Sequence, residues 1–187
     1  MPYLIDPART APRLQRAIDE AATPRQAQLI RQVQVHLQAE ISADLPALMA
    51  TLVDEPTYHV WNAAGPVTLT GREMIEQLYQ DMFDLGTQQF EFDISKVVAS
   101  DSNVVTEGRM RQLHTAELLR MQGLDAVNGE AMDEDGLWLS DAQVLVVWPA
   151  AQDGRLVGED TYYGEDPLDR LIPIRTDEIA PTVAIRR

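Results

Sequence analysis

The sequence predicts one α+β domain: a curved antiparallel sheet wrapped by three N-terminal helices around a pocket for an apolar small molecule. Three observations predict it. Apolar residues recur at helical spacing through residues 23–86, the period changes to two from Phe90 onward, and no repeat or linker divides the 187 residues. Runs of helices followed by runs of strands place the helices on one face of a single sheet.

The elements follow in order. Residues 1–22, rich in Pro and Ala, read as an N-terminal arm with a short helical turn over 14–22. Thr23-Pro24-Arg25-Gln26 is a helix start, with Thr as cap, Pro in the first turn and Gln completing a capping box. Leu29, Ile30, Val33, Leu37 and Ile41 then form one buried stripe, bordered by His36 and Glu40. Asp44 caps a second helix over 45–53. The β-branched and aromatic run Thr57-Tyr58-His59-Val60-Trp61-Asn62 is a strand that turns at Gly65-Pro66 and returns through Val67-Thr68-Leu69. Thr70-Gly71-Arg72-Glu73 reads as a second capping box. It opens a third helix that carries Met74, Ile75, Leu78, Tyr79, Met82 and Phe83 and stops at Gly86. Four longer strands follow, over 90–98, 104–113, 137–148 and 156–163, the last two joined across Gln152-Asp153-Gly154. An acidic, Gly-containing segment at 115–135 reads as a helical turn and a loop. The domain proper is 23–175, and residues 176–187 are a C-terminal tail.

Composition excludes several classes. Thirty acidic residues against fifteen basic ones give a net charge of −15, a field that repels a phosphate backbone, so no nucleic-acid partner is expected. The absence of cysteine removes disulfides, thiolate nucleophiles and Cys-type zinc sites. No run reaches the ~18 apolar residues of a membrane span, and no secretory signal is visible at the start, so a cytoplasmic, membrane-free protein is the default expectation. Lys96, the sole lysine, has no acid–base partner in its neighbourhood and is discounted as a Schiff-base amine. Nucleotide-binding and serine-hydrolase motifs are missing. His36 and Glu40 share a helix face, but no third ligand has motif-like spacing, so neither metal nor other cofactor is expected.

Four segments in this order carry a resemblance. Ala43-Asp44-Leu45-Pro46 with Asp54-Glu55, Gly71-Arg72-Glu73-Met74-Ile75 with Leu78-Tyr79, Val104 to Glu107, and Asp153 to Tyr163 are similar to the nuclear transport factor 2-like superfamily, in its SnoaL-like and ketosteroid-isomerase-like branch, from about Gln26 to Ile174. The resemblance implies a cystatin-like α+β roll with a conical pocket, and homodimerisation through the open sheet face. The fold hosts many reactions, so residues must decide among them. The branch's oxyanion-binding tyrosine falls on His36, and its supporting tyrosine on Tyr79. The isomerase base would fall on Val60 or Asn62 and its protonated aspartate near Gln143 or Val144. Both carboxylates are missing there, which disfavours steroid isomerisation. The central strand offers Arg109 and Arg111 without the aspartate that epoxide hydrolysis uses.

The candidate catalytic set is therefore His36, Tyr79, His59 and His114, because an imidazole titrates near working pH. Tyr58, Trp61, Asn62, Met82, Phe83, Arg109, Trp138, Trp148 and Tyr162 are the candidate pocket wall. On the first strand only one of Thr57/His59/Trp61 and Tyr58/Val60/Asn62 can face the pocket, and the pattern leaves open which. Glu40 and Glu159 read as exposed carboxylates by default. The expected function is a cofactor-free acid–base enzyme acting on an aromatic or polycyclic hydroxylated or carbonyl compound. A lyase, either a dehydratase or a retro-aldol enzyme, or a cyclase fits best, with a non-catalytic binding or dimerisation module of the same fold as the alternative.

Overall fold

Thr23 opens the first long helix as its chemistry requires: Oγ1 accepts from the Gln26 amide at 3.2 Å, and Pro24 occupies the first turn. In this computed structural model, which describes residues 3–62, 65–183 and 185, that helix is α2 (Pro24–Ile41). It follows α1 (Thr10–Asp19) and precedes α3 (Leu45–Ala50). Asp44 caps α3 by accepting from Ala47 N at 3.0 Å. This helix stops three residues short of the expected end because Leu52 already belongs to β1 (Leu52–Asn62), paired with Leu156. β2 (Gly65–Thr70) returns as the expected hairpin, and α4 (Arg72–Leu85) follows, ended by Gly86 in the left-handed conformation. The capping box expected at α4 is not formed. Thr70 is engaged opposite Thr57 in the hairpin, so Gly71 takes the cap position without a side-chain bond.

The strands β3 (Phe90–Ala99) and β4 (Asn103–Thr115) lead into α5 (Ala116–Met121), capped by Thr115, and a small hairpin of β5 (Ala126–Val127) and β6 (Glu130–Ala131). β7 (Leu137–Pro149), β8 (Leu156–Tyr163) and the short β9 (Leu171–Pro173) complete the sheet. Its order is β2-β1-β8-β7-β4-β3, with β9 on β7, an open path rather than a closed barrel. The α+β expectation holds, but the sheet is mixed: β1 and β8 run parallel. β2 occupies one edge of β1, and β8, arriving from its hairpin with β7, meets the other edge in the same direction as β1. The parallel register sets Tyr58 beside Glu159, Val60 beside Thr161 and His59 beside Asp160.

The helices lie on one face of this sheet. Leu29, Ile30, Val33 and Leu37 of α2 are buried, as their spacing predicts, together with Phe92, Val104, Val144, Val146 and Trp148 of the strands. Among the described residues, the expected N-terminal arm and C-terminal tail meet each other. Ile5 is fully buried and bridges Ile179. With Leu113, Leu139, Ile174 and Val183 these two close a second small core. Polar contacts hold the same strap: Asp6 N donates to Glu91 Oε2 at 2.6 Å, and Phe92 N donates to Thr10 Oγ1 at 3.0 Å.

The parallel pairing depends on Gly158, where a Cβ would stand 1.7 Å from the Thr57 carbonyl oxygen. Gly158→Ala therefore forces β1 and β8 apart. Overpacking of this kind costs about 3 kcal/mol, which for a chain of this size is a fall in Tm on the order of 10 °C. Calorimetry checks it, and an unchanged Tm would refute the close approach.

Candidate active site

Between α2, α4 and the inner face of the sheet lies a cavity of about 240 Å³. Leu78, Met82, Phe90, Phe92, Met110 and Trp148 supply apolar walls, and its polar groups include Glu40, Tyr58, Tyr79, Glu159 and Tyr163. Helical geometry explains part of this gathering, since His36 and Glu40 are one turn apart on α2 and look the same way. Strand pairing explains the rest. Tyr58 and Glu159 are cross-strand neighbours on the inner face, and Tyr79 of α4 packs above them with its ring edge toward Tyr58.

His36, which is 0% exposed, sits at the centre of a hydrogen-bonded chain. Thr51 Oγ1 gives its one proton to the Leu48 carbonyl at 2.5 Å, so toward His36 Nδ1, 2.7 Å away, it can only accept. The proton on Nδ1 is thereby fixed. The other ring nitrogen, Nε2, stands 3.0 Å from both Tyr79 Oη and Glu159 Oε1. Tyr79 donates to the same Oε1 at 3.0 Å, and Tyr58 Oη lies 2.9 Å from Tyr79 Oη. With the Tyr79 proton committed to Glu159, the Nε2–Oε1 contact needs a proton of its own. Two lone pairs facing each other at that distance in a buried site would repel. His36 and Glu159 are therefore a dyad sharing one proton.

Electrostatics sort the remaining groups. Burial, reinforced by the Glu159 charge, holds the Glu40 carboxyl well above the usual carboxylate range, which suits it to give up a proton. Burial and the same charge push the Tyr58 and Tyr79 phenols well up, and Tyr163 up to about 12 with Glu40 contributing ahead of Glu159, so all three remain protonated donors. His36, Glu40 and Glu159 also offer ligand atoms within 4.8 Å of one another, a nitrogen and two carboxylates of the kind a divalent cation takes. Only the first two of these were legible as a pair in sequence.

Of the candidate catalytic residues, the structure brings His36 and Tyr79 together and leaves the other two elsewhere. His59 faces the opposite side of the sheet, 2.7 Å from Asp160, because Tyr58 and Val60 take the inner face of β1. His114 is buried at the far end of β4, its Nε2 2.9 Å from Ser140 Oγ and its Nδ1 without a partner among the described residues. Tyr58, Met82 and Trp148 line the cavity. The other candidate wall residues do not. Trp61 stacks on Tyr162 at 4.3 Å on the outer face, and Asn62 is exposed at the strand end. Phe83 is packed in the core, Trp138 belongs to the cluster around α5, and Arg109 is paired with Asp141 and Glu165. Glu40 and Glu159, read by default as exposed, turn inward. The i, i+4 spacing to His36 was the one available signal for Glu40. Glu159 had none without the parallel register.

A curved open sheet over helices, with polar groups gathered at one end of an apolar cavity, defines the nuclear transport factor 2-like class. The chain belongs within it to the SnoaL-like domain family, whose model matches residues 33–139, more than half of its length. Among solved structures it is similar to an LEH-like epoxide hydrolase of M. tuberculosis (20% identity, TM-score 0.53, 75% of this chain and 85% of that one). It is also similar to a candidate SnoaL-like polyketide cyclase from Jannaschia sp. CCS1 (14%, TM-score 0.56, 76% and 89%). A phenazine biosynthesis-related protein from Pseudomonas aeruginosa is a third (12%, TM-score 0.53, 78% and 85%). At these identities the likeness is one of fold. No curated protein matches the chain. Among the described residues no helix is long and apolar enough to cross a membrane.

Burial lowers the pKa of His114 from its ordinary 6.5 to about 4. The unfolded chain takes up that proton first, so the stability is complete above pH 6.5 and is lost as the pH falls toward 4. His114→Asn should remove this dependence. Between pH 7 and 4 the parent protein is expected to lose about 3 kcal/mol more than the variant, read by urea unfolding. Parallel curves would show that His114 is not buried neutral.

Proposed function

We propose that this protein is an acid–base enzyme whose own side chains carry the protons, acting on a compact ring compound that bears hydroxyl or carbonyl groups. The family and the fold support a cyclase- or isomerase-type role at the coarse level, and the residues favour a lyase step within it. One observation carries the reading: the buried contact between His36 Nε2 and Glu159 Oε1 at the head of an apolar cavity. A dyad of this kind, kept from water, has little reason to exist in a passive binder, because burying a charge is costly unless it is paired.

Cavity volume narrows the substrate. Ligand pockets span about 300–1,000 Å³, and an apolar cavity of about 150 Å³ holds benzene. A cavity of about 240 Å³ suits one ring, or two small ones, rather than a four-ring skeleton. In a dehydration, the His36–Glu159 dyad takes the proton from the carbon adjacent to the one that bears the leaving hydroxyl. Glu40 gives its proton to that hydroxyl, the C–O bond breaks, and the products are the alkene and water. The dyad's extra proton then returns to Glu40, whose ligand atoms lie within 4.8 Å of those of the dyad. In a retro-aldol step the same groups take the hydroxyl proton and protonate the carbanion released by C–C cleavage. Tyr79 and Tyr58 hold the dyad's carboxylate in place and extend the donor chain toward the substrate oxygen. The role sequence gave to a second imidazole falls here to the two carboxylates.

The test is a mass-spectrometric screen of one- and two-ring hydroxylated carbonyl compounds, in EDTA, for loss of water or for cleavage. Turnover is expected with the parent protein and should fall about 100-fold or more in Glu159→Gln and in Glu40→Gln, with each variant's Tm near the parent's. Turnover that survives both substitutions, or that needs a divalent metal, would overturn the reading. Binding without turnover would favour the non-catalytic module.

A further inference from the structure

A second cavity, a cleft also of about 240 Å³, lies on the other side of α2, between it and α1, and its lining carries no charged side chain among the described residues. Leu37 is the one described residue that lines both this cleft and the catalytic cavity. It is 3% exposed and packed in the core, so its side chain is the material between the two spaces. The rest of the partition is backbone. Gln89 lines the cleft and Phe90, next in the chain, lines the cavity. Thr10 lines the cleft, and its Oγ1 accepts at 3.0 Å from the amide of Phe92, which lines the cavity. β3 is held there by that bond and by its pairing with β4. Gln34 Nε2 donates to the Ala11 carbonyl at 3.1 Å and ties the α2 wall of the cleft to its α1 wall.

Volume gives this partition a consequence. Each space falls short of the roughly 300–1,000 Å³ that small-molecule pockets span, and joined they would lie within that range. Removing a buried leucine side chain leaves a void on the order of one benzene ring, because the surrounding core relaxes only in part. Leu37 also stands three residues before Glu40, on the same side of α2. An opening at Leu37 would therefore keep the reacting end of a longer ligand beside Glu40, with its far ring among Ala11, Leu14 and Ile41.

We propose that Leu37 is the residue that sets substrate size. Its side chain closes the catalytic cavity at one ring or two small ones, and the uncharged cleft behind it is the space that three fused rings need. This role rests on the reading that the cavity binds the substrate, and adds which side chain limits it.

The probes are 2-naphthol, with two fused rings, and 9-phenanthrol, with three, titrated into the full-length parent and Leu37→Ala and followed by ligand fluorescence. The parent is expected to prefer 2-naphthol by about tenfold or more. Leu37→Ala should bind 9-phenanthrol the more tightly by about tenfold, the worth of one further buried ring. In isotope-labelled variant, NMR shifts caused by 9-phenanthrol should extend from Tyr58 and Tyr79 to Ala11 and Leu14 across the partition. Leu37→Ala lowers Tm, so Leu37→Val is measured beside it and should move the preference in the same direction by about threefold. Three results would each overturn the proposal: a parent that takes 9-phenanthrol as tightly as 2-naphthol, variants that keep the parent's preference, or variant shifts confined to one side of Leu37. Turnover does not enter these measurements, so failure of every compound to react would remove the catalytic reading and leave the size preference standing.

Discussion

Thr51 has a single hydroxyl proton, and it is committed to the Leu48 carbonyl. Everything distinctive about the site depends on that commitment. It obliges His36 to keep its own proton on Nδ1, which leaves Nε2 as the nitrogen that meets Glu159 and Tyr79. A histidine free to choose its tautomer would satisfy Glu159 with an ordinary N–H and leave Nδ1 as an acceptor. Pinned from behind, the ring instead confronts a carboxylate that already accepts from Tyr79, and the pair must hold a proton between them. Second groups that fix one ring nitrogen commonly set what the other can do.

The position of this clamp follows from the fold. Thr51 lies at the junction where α3 gives way to β1, so the helix supplies the carbonyl that takes its proton, and the strand that follows supplies Tyr58. β8 then delivers Glu159 beside Tyr58 because it runs parallel to β1. In an antiparallel pairing the neighbour of Tyr58 would have been set by a different register. α4 closes the arrangement from above through Tyr79, whose ring also contacts Phe83 at its rear. Helix, sheet and cavity are thus joined at one buried group of polar side chains, and the apolar walls around it keep its charges unscreened.

Much of the fold was legible because its signals are local. The α2 stripe, the Thr23 cap, the Gly86 stop and the change to a period of two each depend on residues a few positions apart. The His36–Tyr79 pair was legible too, since family order carries it. What sequence withheld is non-local. Gly158, Asp160 and Tyr162 alternate with Glu159, Thr161 and Tyr163, and both sets mix polar with other residues, so period two does not say which one turns inward. A carboxylate on either face reads as exposed until a partner strand is known. His59 and Tyr58 posed the same problem in reverse, with aromatic character on both faces of β1. The meeting of the terminal segments stayed hidden for a related reason. Ile5, after Tyr3 and Leu4, and Ile179, before Ala180, sit in stretches too short to show a period, and only their pairing with each other marks them as core.

The account's central claim concerns where two protons sit on one imidazole, and nitrogen-15 NMR of His36 measures that directly. A ring labelled at both nitrogens should show Nδ1 bonded to a proton that exchanges slowly with water. A second proton should appear far downfield, shared between Nε2 and Glu159. A ring protonated on Nε2 alone, with a bare Nδ1, would contradict the clamp by Thr51 and with it the shared-proton dyad.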